Sequence, residues 1–174
     1  RMQGLLTLEQ TVETPYQKLQ IAGYHEQKSL FSNGMLADSW PNPESVEARV
    51  HTFATVLSEI GSVLLIGAPS AETAREFLKY PNLKLTVVEP DSRLFDLLGY
   101  DSQLRQAVKI IITDPRQYLN RENEAFDGIM ICPVSPVTLV GNRLFTVEAF
   151  KAMQNRLKPS GVLSLQVEGS ENYL

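Results

Sequence analysis

Ser62-Val63-Leu64-Leu65-Ile66-Gly67-Ala68-Pro69-Ser70-Ala71-Glu72 is the stretch whose reading decides the fold. Four consecutive large aliphatic residues do not alternate with polar ones. Such a run suits a strand buried on both faces, as in a parallel sheet. The glycine-containing turn and the Glu72–Lys79 stretch behind it predict a helix over 71–79. The pattern then repeats: strand Leu83–Val88, helix 91–98, strand Val108–Ile112, a short helix near 115–120 and strand Asp127–Ile131. Helix 146–157, capped by Thr146 and stopped by Lys158-Pro159-Ser160-Gly161, and strand Val162–Val167 complete it. Strands alternating with helices imply βαβ units with right-handed crossovers, hence an α/β fold with a parallel sheet.

Upstream, Val46, Val50, Phe53, Leu57 and Ile60 recur at helical spacing, which predicts a helix over about 44–60. Asn42 is its expected N-cap, Pro43 its first residue and Gly61 its stop. Before Trp40-Pro41 the chain reads as short strands: Leu5–Leu8, Tyr16–Ala22, Ser29–Ser32 and Met35–Ala37. Asn33-Gly34 between the last two marks a hairpin. The expected organisation is therefore an N-terminal β-hairpin region over 1–41 and an α/β domain over 42–174.

Composition narrows the function. The 174 residues are 43% hydrophobic and 21% charged, ordinary for a globular chain. Sixteen basic against 20 acidic residues give a formal charge of −4, and no basic run offers a nucleic-acid surface. The single cysteine, Cys132, excludes a disulfide framework, and two histidines without metal-ligand spacing give no metal motif. No apolar run reaches the ~18 residues of a membrane helix. The N-terminus has no signal-peptide core, so a cytoplasmic location is expected.

In open α/β sheets ligands lie beyond the carboxyl ends of the strands. Gly67 begins the turn after the first strand, Glu89 stands just past the second and Asp114 just past the third. A carboxylate accepts two hydrogen bonds from a vicinal diol, so Glu89 suits a ribose, and Asp114 is placed to meet an adenine amino group. Asp91 and Asp114 equally occupy helix-capping positions. Glu47 and His51, four apart on one helix face, read either as a catalytic dyad or as a solvated pair. Cys132, after a buried strand, reads as a buried small hydrophobe more than as a nucleophile.

An ordered set of motifs resembles the spermidine synthase (polyamine aminopropyltransferase) family: Glu13-Thr14-Pro15-Tyr16-Gln17, Asn33-Gly34, Ile66-Gly67 with Thr73-Ala74-Arg75-Glu76, Val88-Glu89-Pro90-Asp91, Asp114, Phe126-Asp127, and Leu144-Phe145-Thr146 through Phe150. Glu47 and His51 resemble the family's Glu and His on the corresponding helix. The resemblance implies a methyltransferase-like Rossmann domain behind a small N-terminal β region, with the sheet apparently truncated after its fifth strand. It implies nucleoside contacts from Gln17, Gly67, Glu89 and Asp114. It also implies decarboxylated S-adenosylmethionine, S-adenosylmethionine or methylthioadenosine as ligand, and homo-oligomers. The Gly169–Leu174 tail resembles bacterial proteins that tether this domain to membrane segments.

The departures bear on activity. The family's loop reads Gly-Gly-Gly-Asp-Gly-Gly, where this chain has Gly67-Ala68-Pro69-Ser70-Ala71-Glu72. Added β-carbons crowd a ligand that approaches the backbone, and Pro69 has no N–H to donate. The family's Asp-Ser-Ser-Asp-Pro segment is replaced by Cys132-Pro133-Val134-Ser135-Pro136, so Cys132 and Ser135 occupy the catalytic acid positions. An amine nucleophile is protonated at neutral pH and needs a carboxylate to bind it and take its proton. The expectation is a spermidine synthase-like domain that lacks aminopropyltransferase activity and keeps a site for an adenosine-type ligand. The alternatives are an S-adenosylmethionine-dependent transferase of unknown acceptor, and a module whose pocket is filled by side chains.

Overall fold

The structure is a computed structural model and describes residues 6–132 and 143–165. Four antiparallel strands come first: β1 (Thr7–Glu13), β2 (Lys18–Tyr24), β3 (Gln27–Ser32) and β4 (Met35–Trp40), in the order β1-β2-β3-β4. Helix α1 (Pro43–Thr55) leads to β5 (Ser62–Ile66), α2 (Ala71–Phe77), β6 (Lys84–Val88), α3 (Arg93–Leu97), α4 (Ser102–Ala107), β7 (Lys109–Ile111), α5 (Pro115–Arg121) and β8 (Phe126–Ile131). Helix α6 (Val147–Gln154) and strand β9 (Leu157–Leu165) follow. The second sheet has the order β7-β6-β5-β8-β9, and every pairing in it is parallel.

All five residues of β5 are buried. Val63 and Leu65 point into one apolar cluster with α1 to α3, and Leu64 and Ile66 into a second with α5 and α6. That two-sided burial is why the strand reads as an unbroken apolar run. The order places β5 in the middle, with β6 on one side and β8 on the other. The chain reverses direction of travel across the sheet there and leaves a crevice at the carboxyl ends.

Several boundaries differ from expectation. Helix α1 ends at Thr55 rather than near residue 60. Leu57 and Ile60 still pack against the core, but from the connecting segment, so the apolar spacing outlasts the helix. Helix α4, capped by Asp101, has no counterpart in the sequence reading, because only Leu104 of its six residues is buried. The Lys158–Gly161 break lies inside β9: Leu157 pairs with Phe126 and Val162 with Gly128, so the intervening residues loop out. Strand β1 is nearly all exposed and lacks the alternation that would have marked it beyond Leu8. The end expected for the last strand, at Val167, lies outside the described residues.

The N-terminal sheet has no core to itself. Leu19, Ile21 and Leu30 join the cluster formed by Val46, Val50 and Phe53 of α1 and by the parallel sheet. Gly128 of β8 lets α1 approach closely, since a β-carbon there would meet the Phe53 ring.

Candidate nucleoside site

Four strand ends build the crevice. After β5, Gly67 takes φ of 89°, a left-handed value that L-residues adopt at a cost, and its N–H donates to the Val88 carbonyl at 2.9 Å. After β6 comes Glu89, whose carboxylate is 7% exposed. It accepts from the Asp91 N–H at 2.8 Å and from the Ala68 N–H at 3.2 Å, and so joins the turns after β5 and β6. Burial pushes its carboxyl up to about 7, against the opposing effect of those two donors. Among the described residues no cation pairs with it.

Asp91 is 2% exposed and bonds in two directions. One oxygen accepts from the Arg93 N–H at 3.2 Å, but Asp91 is not the N-cap expected of it: Ser92 holds that position before α3. The other accepts from Thr14 Oγ1 at 2.7 Å and Gln17 Nε2 at 3.2 Å. Gln17 Oε1 in turn accepts from Ser32 Oγ at 2.6 Å. Gln17 and Tyr16 lie in the turn between β1 and β2, not within a strand as the sequence suggested. Gln17 is thus brought to the same loop as Glu89, while Tyr16 is about half exposed.

Asp114 follows β7 and caps α5, accepting from the N–H groups of Arg116 at 2.9 Å and Gln117 at 3.2 Å. Its second oxygen lies 3.4 Å from Arg143 Nη1. Both expected roles therefore compete for one side chain: one oxygen is committed to the helix and the other faces an exposed guanidinium.

Ser70 stands where an acid is expected, and it is buried. Its hydroxyl caps α2, accepting from the Thr73 N–H at 3.4 Å, and lies 3.1 Å from Thr73 Oγ1. Cys132 follows β8 and is 3% exposed, its N–H donating to the Ile66 carbonyl at 2.8 Å. Burial pushes its thiol up to about 12, so it is neither nucleophile nor base at neutral pH. Ser135 lies outside the described residues.

Glu47 and His51 are not a dyad. His51 Nε2 lies 3.0 Å from Glu76, a nearly buried carboxylate on α2, and its Nδ1 lies 2.5 Å from the Tyr80 hydroxyl. Glu47 instead faces Lys79 at 3.9 Å, and Lys79 also meets Glu76 at 2.6 Å. The cluster ties α1 to α2 away from the crevice.

Sequence reasoning missed a second space. A cavity of 730 Å³ opens between α1 and the strands β8 and β9. Asp38, Arg49, Pro69, Thr73 and Cys132 line it on the crevice side, and Val162 and Leu163 line it along β9. Arg49 Nη2 donates to Thr73 Oγ1 at 2.6 Å. Burial raises the carboxyl of Asp38, opposed by its backbone donor and by Arg49. Among the described residues no cluster of His, Cys, Asp and Glu is placed to hold a metal ion, and no helix is long and apolar enough to cross a membrane.

Comparison with known proteins agrees with this fold. The spermine/spermidine synthase domain model matches residues 46–173. Polyamine aminopropyltransferase 2 of Aquifex aeolicus is 23% identical over 164 residues, covering 88% of this chain and 33% of its own length. The polyamine aminopropyltransferase of Prochlorococcus marinus strain NATL2A is 28% identical, covering 99% of this chain and 62% of its own length. The chain thus spans between about a third and three fifths of these curated relatives. Among solved structures, a spermidine synthase in complex with the transition state analogue AdoDATO superposes with a TM-score of 0.75 at 22% identity, covering 87% of this chain and 55% of that one. The spermidine synthase of Thermotoga maritima gives 0.72 at 21% identity, covering 87% and 54%. With a family model matched over most of its length and the same α/β architecture, the chain belongs to the spermine/spermidine synthase family.

Proposed function

We propose that this chain is a spermidine synthase-like domain that binds an adenosine-type ligand and does not catalyse aminopropyl transfer. Glu89 carries the reading. A buried carboxylate beside a left-handed glycine turn, with no cation partner among the described residues, is costly to keep unless something uses it. Two ribose hydroxyls donating to it would offset that cost. Asp114, at the neighbouring strand end, supports the base side, and Gln17, held on Asp91, supports the entrance.

Loss of transfer is supported by what replaces the acids. The Ser70 hydroxyl is spent on capping α2, and Cys132 is a protonated thiol. Neither supplies the negative charge needed to hold a protonated amine next to a sulfonium. General-base catalysis alone contributes roughly 10²–10⁴-fold. The relatives named above are aminopropyltransferases and are longer than this chain, so activity is tested separately from binding.

Calorimetric titration with methylthioadenosine, with Glu89→Ala as control, tests the site. Micromolar binding that the substitution abolishes is expected. Absence of binding to the folded chain overturns the reading in favour of a filled pocket. Incubation with putrescine and decarboxylated S-adenosylmethionine is expected to release no methylthioadenosine, and turnover would refute the proposed loss. Transfer from S-adenosylmethionine to some other acceptor would favour the alternative transferase.

A further inference from the structure

Glu89 belongs to the parallel sheet, but part of its support comes from the N-terminal one. Its two oxygens each accept one backbone N–H, from Asp91 at 2.8 Å and from Ala68 at 3.2 Å. A carboxylate has about four acceptor positions, so one is left on each oxygen, as a vicinal diol needs. Those positions keep their aim only while both donors keep their places. Ala68 is placed by the turn after β5, where the Gly67 N–H donates to the Val88 carbonyl. Asp91 is placed by its own side chain. Its buried carboxylate accepts from the Arg93 N–H on one oxygen, and from Thr14 Oγ1 and Gln17 Nε2 on the other.

Thr14 is the centre of that hold. Its hydroxyl oxygen accepts from the Tyr16 and Gln17 N–H groups at 3.2 and 3.1 Å and so shapes the β1–β2 turn. Its own proton has two acceptors in reach, the Gln17 carbonyl at 3.1 Å and the Asp91 carboxylate at 2.7 Å, and the shorter contact goes to the charged group. Ser32 on β3 steadies Gln17 at 2.6 Å. A buried carboxylate does not readily give up such donors, so the turn and the Glu89 segment move as one unit. The turn lies upstream of the residues 46–173 that the family model matches. Resting on the nucleoside reading above, we infer that the β1–β2 turn is a working part of the site, with Thr14 as a positioning residue that acts on Glu89 through Asp91. The N-terminal sheet holds the ribose-binding carboxylate in its receptive orientation, and a bound ribose in turn secures the sheet.

Titration of methylthioadenosine into the wild type, Thr14→Val and Thr14→Ser across about pH 6 to 9 tests this. Valine keeps the shape and removes the hydroxyl, while Leu19, Ile21 and Leu30 still anchor the sheet. The titratable groups that face Glu89, Asp91 on its own turn and Cys132 at the end of β8, are the same in all three proteins. Affinity near pH 8 is expected to fall about tenfold in Thr14→Val and to stay within about twofold in Thr14→Ser. A loosened Asp91 N–H no longer favours the charged form of Glu89, so the pH at which affinity levels off should also rise above the wild-type value. Unchanged affinity in Thr14→Val overturns the inference. So does a loss that is equal at every pH, or one that Thr14→Ser does not restore, and each of these leaves the nucleoside reading intact. Should Thr14→Val not fold, the wild type decides: methylthioadenosine should slow hydrogen exchange at the Tyr16 and Gln17 amides, and unaltered exchange overturns the inference. Failure of the wild type to bind methylthioadenosine overturns both readings.

Discussion

Replacing Glu89 by Gln reads the electrostatics of the site through stability. Burial disfavours the charged form of the folded carboxyl and pushes it up to about 7, from an ordinary value of 4.5. The native state therefore holds the proton more tightly than the unfolded chain. Below the unfolded value both states are protonated and Glu89 costs nothing. As pH rises toward 7 the cost grows, and above it the full penalty applies. The separation corresponds to about 3 kcal/mol. Glutamine cannot ionise. It keeps one carbonyl acceptor but turns an amide N–H₂ toward the second backbone donor, Asp91 or Ala68, at a cost of about 1 kcal/mol. The two proteins should therefore exchange rank. Wild type should be the more stable near pH 4, the two should be nearly level near pH 5, and Glu89→Gln should be the more stable by about 2 kcal/mol near pH 8. Urea unfolding across that range measures both. Parallel pH profiles would refute the assignment of a raised, buried carboxyl. The same titration reaches binding: a diol donates best to the ionised form, so affinity should rise about tenfold per pH unit below 7 and level off above it.

Three further outcomes are expected. Cys132 should react with a neutral alkylating agent only as fast as the native fold opens, so labelling under native conditions that outpaces hydrogen exchange of β8 would contradict its burial and raised pKa. Gly128→Ala should destabilise by about 1–3 kcal/mol through the Phe53 ring, and Phe53→Leu should recover part of that loss in the double variant; additive losses in thermal unfolding would break the link. Asp91→Ala should strip the acceptor from Thr14 and Gln17 and cost about 1–3 kcal/mol, with proteolysis first in the β1–β2 turn; an unchanged cleavage pattern would mean the turn is held by other contacts.

What the sequence disclosed follows from where burial is local. Strand β5 was legible because both its faces are covered, and Glu89 because an acid directly behind a buried strand has few other places to be. Strand β1 was not, since its residues are exposed and carry no period. The end of α1 was misplaced because Leu57 and Ile60 keep facing the core after the backbone has left the helix. Arg49, Thr73 and Asp38 come from α1, α2 and β4 and meet only once those elements pack, so no spacing announces their cavity. His51 pairing with Glu76 rather than Glu47 is of the same kind: the preferred partner sits on another helix.

The double hold on Asp91 has a consequence for synthesis. Its partners Thr14 and Gln17 lie 77 and 74 residues earlier in the chain. At about 5–20 residues per second, a ribosome makes the N-terminal strands roughly 4–15 s before their acceptor exists. Leu19, Ile21 and Leu30 must likewise wait for α1 and the parallel sheet. During that interval the four strands have apolar surface and two free edges but no partner. A nascent chain stalled before β6 would therefore be a good client for a chaperone, and the arrival of Val88-Glu89-Pro90-Asp91 would supply the acceptor that holds the β1–β2 turn.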